Sequence, residues 1–134
     1  MNGVVAIRQL LVNDAALVAI VPAARIVSGP LTQGVALPAI SITSISTLDR
    51  NISSPGATRF VTERVQVTGY HSSYPAKKAL LAAVKKALAD QAPVVAGIAN
   101  VTVHTDTAGP DFMDEQARIY MGSHDFRVKY TETR

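Results

Sequence analysis

The chain has 134 residues, a length that fits one domain and suffices to bury a core. Hydrophobic residues make up 48% and charged ones 17%, which excludes a disordered tail protein. Thirteen Lys plus Arg against ten Asp plus Glu leave a formal charge of +3, too small and too scattered for a dedicated nucleic-acid binder. Cysteine is absent, which excludes disulfide frameworks, thiol catalysis and cysteine-ligated zinc.

Gly3 to Val21 reads as helix, because Val4, Ile7, Leu10 and Leu11 recur at spacings of three and four. Asn13 or Asp14 can cap a second piece, Ala15 to Ile20, which Pro22 ends. Arg8, Gln9, Asn13 and Asp14 interrupt the apolar residues, so neither a membrane span nor a secretory leader is expected, and the protein is expected in the cytoplasm where it is made. A short extended piece at Arg25 to Ser28 leads into a Gly29-Pro30 loop.

Ala39 to Thr47 alternates as a half-buried strand, with Ile40 and Ile42 on one face. Ile45 breaks the parity and predicts either a bulge or the end of the strand near Ser44. Leu48 to Thr58 is polar and reads as a long connecting loop. Phe60 to His71 predicts a second strand with Val61, Val65 and Val67 facing inward; Glu63 falls among these valines, as it would in a strand that emerges from the core. Ser72 or Ser73 caps a helix with Pro75 in its first turn, and Leu80, Leu81, Val84 and Leu88 form its apolar stripe to Asp90. Lys77, Lys78, Lys85 and Lys86 are placed on the opposite, solvated face. A strand at Val101 to Val103 ends by Ala108-Gly109-Pro110, and a last strand runs from about Gln116 to Thr131 with Phe126, Val128 and Tyr130 facing inward. The order predicts an α+β fold, an antiparallel sheet with helices on one face, as a single domain over residues 1–134.

No dinucleotide fingerprint, phosphate loop or nucleophile elbow is present, so neither enzyme activity nor a cofactor is expected. His71, His104 and His124 lack metal-ligand spacing, and a histidine-based metal module is a distant alternative. Asp111, Asp114 and Glu115 match no calcium loop. The four lysines could meet DNA or an acidic partner, but no aromatic residues interleave with them, and a solvated helix face is the simpler account. A surface so poor in charge suits a protein that partners cover.

The order of these features resembles the small tail-terminator, or tail-completion, proteins of long-tailed bacteriophages. The resemblance lies in the Ala/Leu-rich start with its Arg25-Ile26 strand, Gly/Pro loop and Pro38 before the first long strand. It continues through the Arg/Val strand ending at Tyr70, the serine turn and the Lys/Ala/Leu helix, and closes on the strand "ARIYMGSHDFRVKY". It implies a virion protein, assembled in the host cytoplasm, of which six copies form a ring at the head-proximal end of the tail tube. Its implied partners are further copies of itself, the major tail tube protein and a head-completion or neck protein. DNA would pass through without specific binding, and no membrane is involved. Sheet edges and two long loops are the expected contacts: Asp49, Arg50, Asn51, Ile52 and Arg59 around the first, Asp111, Phe112, Met113 and Asp114 in the second. Another head–tail joining protein is the alternative within the same class.

Overall fold

The structure, a computed structural model, describes residues 2–31, 36–50, 56–116 and 118–133. Helix α1 (Asn2–Val12) buries Gly3, Ala6, Ile7 and Leu11; of the predicted stripe Ile7 and Leu11 are in the core, while Val4 and Leu10 are half-buried against it. Asp14 caps α2 (Ala15–Ile20), its Oδ1 accepting the Leu17 N–H at 3.0 Å. A 3₁₀ turn at Ala23–Arg25 leads into β1 (Ile26–Ser28), followed by β2 (Ala39–Arg50) and β3 (Thr58–His71). Ser73 Oγ accepts the Ala76 N–H to start α3 (Tyr74–Leu88), with Pro75 in its first turn. Two long strands, β4 (Ile98–Asp114) and β5 (Ile119–Thr133), complete the chain.

The strands form one sheet in the order β1-β2-β3-β5-β4. Only β1 and β2 pair in parallel; every other neighbour is antiparallel. The helices pack on one face, α1 against β1 to β3 and α3 against β3 and β5, so the fold is α+β in a single domain. Ile7, Leu11, Leu17, Ile40, Val65, Leu80, Leu88 and Phe126 belong to the continuous core between the layers. The other face is polar: Arg64 donates to Asp125 Oδ2 from Nε and a terminal nitrogen at 2.9 and 2.5 Å, and Asp106 lies 3.4 Å from both Arg64 and Arg127.

Two predicted loops are strand over part of their length. The bulge between Ser44 and Ser46 occurs as expected, but pairing resumes beyond it, and Leu48, Asp49 and Arg50 lie opposite Thr62, Val61 and Phe60. Cross-strand pairing needs no apolar alternation where both faces are solvated. Likewise Ala108-Gly109-Pro110 does not stop β4, which runs on to Asp114 through irregularities at Thr105/Ala108 and Ala108/Asp111. These bulges absorb the tripeptide on an edge strand, where the missing Pro110 N–H costs nothing. A Cβ at Gly109 would collide with the Ser123 hydroxyl, which would have to turn away.

Two buried charges also differ from expectation. Glu63 does not emerge from the core: it accepts the Gly3 N–H at 3.2 Å and the Tyr130 hydroxyl at 3.0 Å, and no part of it is exposed. Burial pushes its carboxyl up, but the hydrogen bonds and charge it meets at the start of α1 and from Tyr130 outweigh this and hold it below the usual range. Gly3 lets α1 approach so closely, because a Cβ there would stand 2.7 Å from the Glu63 carboxyl carbon. Lys77 is fully buried, not on the solvated face of α3.

Gly69 and Gly122 face each other across β3 and β5 and make a flat seat for α3. A Cβ on Gly122 would lie 2.6 Å from Leu81 Cδ1 and 3.3 Å from Lys77 Cδ. Gly122→Val is therefore expected to push α3 off the sheet and cost about 1–3 kcal/mol, measured as a lower urea midpoint with an unchanged slope.

Candidate assembly surfaces

Thr58 pairs with Thr133 and His71 with Tyr120. The ends of the β2–β3 hairpin (Arg50, Thr58) and of the β4–β5 hairpin (Asp114, Ile119) therefore lie at opposite ends of the sheet. Neither is a free arm: β5 pairs with β3 as far as Tyr120, so the second hairpin forms a corner of the sheet.

At the first end, Arg59 lies 3.5 Å from Asp49 and 3.6 Å from Glu132, a surface ion-pair group worth little to stability. Arg50 is exposed as the last residue of β2. Asn51 and Ile52, the other candidates on this side, lie outside the described residues. Leu48 is 71% exposed on the face away from the helices.

At the second corner the candidates Asp111, Phe112, Met113 and Asp114 are consecutive residues of β4. Alternation separates them: Asp111 and Met113 lie opposite Gly122 and Tyr120, on the helix-bearing face, while Phe112 lies opposite Met121 on the other. Phe112 is 59% and Met113 45% exposed, so an apolar side chain stands open on each face. Asp111 ties the corner to α3. It pairs with the Lys77 ammonium on one carboxylate oxygen and accepts the Tyr74 hydroxyl at 3.0 Å on the other, with Lys78 Nζ 3.7 Å away. The Lys77 hydrogen bond, then that of Tyr74, holds the Asp111 carboxyl below its ordinary value. The same aspartate and the Tyr74 hydroxyl raise Lys78, Tyr74 first. Lys77 Nζ also stands 4.5 Å from the centre of the Tyr74 ring, which packs edge-on to Tyr120 at 6.2 Å.

The predicted basic face of α3 thus divides. Lys77 is buried, Lys78 turns to the corner, and Lys85 and Lys86 remain exposed near the helix end. The residues that sequence reasoning missed are Tyr74 and the buried role of Lys77. Positions 77, 80, 84 and 88 follow i, i+3, i+7 and i+11, a spacing that places Lys77 on the buried stripe.

The three histidines keep separate company. His71 Nδ1 accepts the Ser72 N–H, His104 pairs with Asp90 at 2.9 Å, and His124 stacks on Phe126. Among the described residues no group of three potential ligands could hold a metal ion, and no helix is long and apolar enough to cross a membrane.

Both sheet edges are largely open. Among the described residues, the side of β2 away from β3 is paired only at Ile40 to Ile42, after which Gly29 N–H closes on Ile42 O at 2.7 Å. The side of β4 away from β5 carries only the Gln91–Val103 bridge. Open strand edges invite other strands. Open edges, an exposed apolar corner and an ion pair that fixes it are the features this domain offers for contact with other protein surfaces.

Comparison with known proteins narrows the class. The chain belongs to the family described as tail completion protein gp17, whose profile matches residues 5–131, and it is a structural protein of the phage tail. A chain in the structure of the virion of a native gene transfer agent particle shares the fold, with a TM-score of 0.72 at 19% identity over 93% of this chain and 91% of that one. No curated protein sequence matches the chain.

Proposed function

We propose that copies of this chain close into a ring, six by the family resemblance, that caps the head-proximal end of the tail tube. The ring stops addition of tube protein and offers its free side to the head-completion or neck protein. The observation that carries this reading is the pair of open edges on opposite sides of one sheet, in a chain of the tail completion family. Unlike edges on one molecule make heterologous contacts, and such contacts close into a ring when the rotation permits. A ring made this way needs no catalytic group. A chain of the same fold in the virion of a native gene transfer agent particle supports a role in a particle.

Deleting the gene and imaging the lysate by negative-stain electron microscopy tests this. Filled heads beside unjoined tubes of irregular or excessive length are the expected result. Tubes of normal length lying apart from heads would assign the chain to head–tail joining instead. Intact infectious particles would overturn both.

A further inference from the structure

A groove of about 360 Å³ runs between α1 and the open part of β2. Val4, Val5 and Ile42 give it an aliphatic wall and floor, and Ser28, Gly29 and Ser44 form its rim. Among the described residues no charged one lines it, and Val5 is 49% exposed. Resting on the ring reading, we propose that this groove receives the β4–β5 corner of a second copy, with Met113 seated against Val4, Val5 and Ile42.

Four observations select this occupant. The groove is apolar, so its occupant presents an apolar side chain. Its floor is also a strand edge, whose backbone groups beyond Ile42 have no strand partner among the described residues, so the occupant brings a strand of its own. Among the described residues two strands combine an open edge with exposed apolar residues: β2 itself, through Ile45 and Leu48, and β4, through Phe112 and Met113. Of these, β4 is the one on the opposite side of the sheet.

Direction agrees as well. Within the sheet β2 and β5 run one way, β3 and β4 the other. A second copy set beside the first in the same orientation therefore presents β4 antiparallel to β2, the more favourable pairing, in which Pro110 contributes no donor and the ladder is carried by its neighbours. Finally, the faces match. Met113 lies on the helix-bearing face, where α1 walls the groove. Phe112 lies on the other. Donor and acceptor sit on opposite edges of one molecule, so each copy gives one contact and takes one.

The cysteine-free sequence provides a clean test. Two exposed positions, Val5→Cys and Met113→Cys, are introduced singly, and both variants are produced together in the cell that makes the particles. Purified particles are then treated with a short bis-maleimide and resolved on a denaturing gel. A cross-linked dimer of the chain in mixed particles, absent from particles of either variant alone and from a Lys86→Cys with Met113→Cys mixture, is expected. Ser28→Cys on the groove rim replaces Val5→Cys if that variant is not incorporated. Several copies per particle with no such dimer would overturn the docking and leave the ring standing. Cross-linking only to a different particle protein would overturn a second copy as occupant. A single copy of the wild-type chain per particle would remove the ring reading and this proposal together.

Discussion

Glu63→Ala is expected to cost about 2–6 kcal/mol, about 1–3 kcal/mol for each of the two buried donors it leaves without an acceptor. Such a loss takes a large share of the roughly 5–15 kcal/mol that holds a domain folded, so it reads directly as a fall in the urea midpoint. The substitution leaves the Gly3 N–H and the Tyr130 hydroxyl without their acceptor, inside a layer where water does not reach. Tyr130→Phe removes one of those hydrogen bonds and is expected to cost about 1–3 kcal/mol.

The pH dependence carries the sign. The folded state holds Glu63 below its ordinary value of 4.5, so its contribution is complete above that value and fades as the pH falls through the depressed one. Glu63→Gln removes this acid-sensitive component and flattens the acid limb of stability against pH. Tyr130 is shifted oppositely. Burial, then its hydrogen bond to Glu63, raises the phenol above its ordinary 10.0. Its contribution is present below that value and is lost as the pH rises beyond it, a limb that Tyr130→Phe abolishes.

These charges mark where sequence stops being legible. Helix starts are local: Asp14 and Ser73 sit one residue before the segments they cap, and both are readable without the fold. The β2 bulge and the inward set Phe126, Val128 and Tyr130 follow from period-two alternation in the same way. Glu63 differs because its partners are 60 and 67 residues away, so in sequence it is only a charge in the wrong place. Lys77 shows the same gap, since Asp111 is 34 residues distant, although its helical spacing already points inward.

Strand ends failed for another reason. Gly109-Pro110 is a stop signal by local chemistry, but the register with β5 continues past it because bulges take up the misfit. The groove was not legible either, since its wall comes from α1 and its floor from β2, elements joined only by tertiary packing. The candidate contacts Phe112 and Met113 were found from polarity and length, yet the property that distinguishes them is exposure at a paired sheet corner.

Asp111→Ala is expected to free that corner and to abolish particle assembly while the core remains folded. Asp111 is the one side chain seen to hold both Lys77 and the Tyr74 hydroxyl, and its loss leaves the buried ammonium against the Tyr74 ring alone among the described residues. Removing the exposed partner strands the buried one, whereas removing the buried one does not. Lys77→Met keeps an unbranched stem over Gly122 and leaves Asp111 at the surface, so it is expected to unfold at nearly the wild-type urea concentration. Asp111→Ala is expected to fall clearly below it, and Lys77→Met combined with Asp111→Ala to recover most of that loss, because no stranded charge remains. Assembly separates stability from placement. The double variant is stable but still lacks the tie between α3 and β4, two residues from Met113, so it remains defective in particle formation. Hydrogen exchange of the amides from Ala108 to Met113 reads the tie directly and should quicken in both Asp111 variants. In the wild type the protection of these amides, taken relative to their intrinsic exchange rate at each pH, should be lost only as the pH falls through the depressed Asp111 value, since the carboxylate is the form that Lys77 and Tyr74 hold. Equal protection of these amides in wild type and Asp111→Ala would show that β5 pairing alone fixes the corner, and the assembly defect would then need another cause.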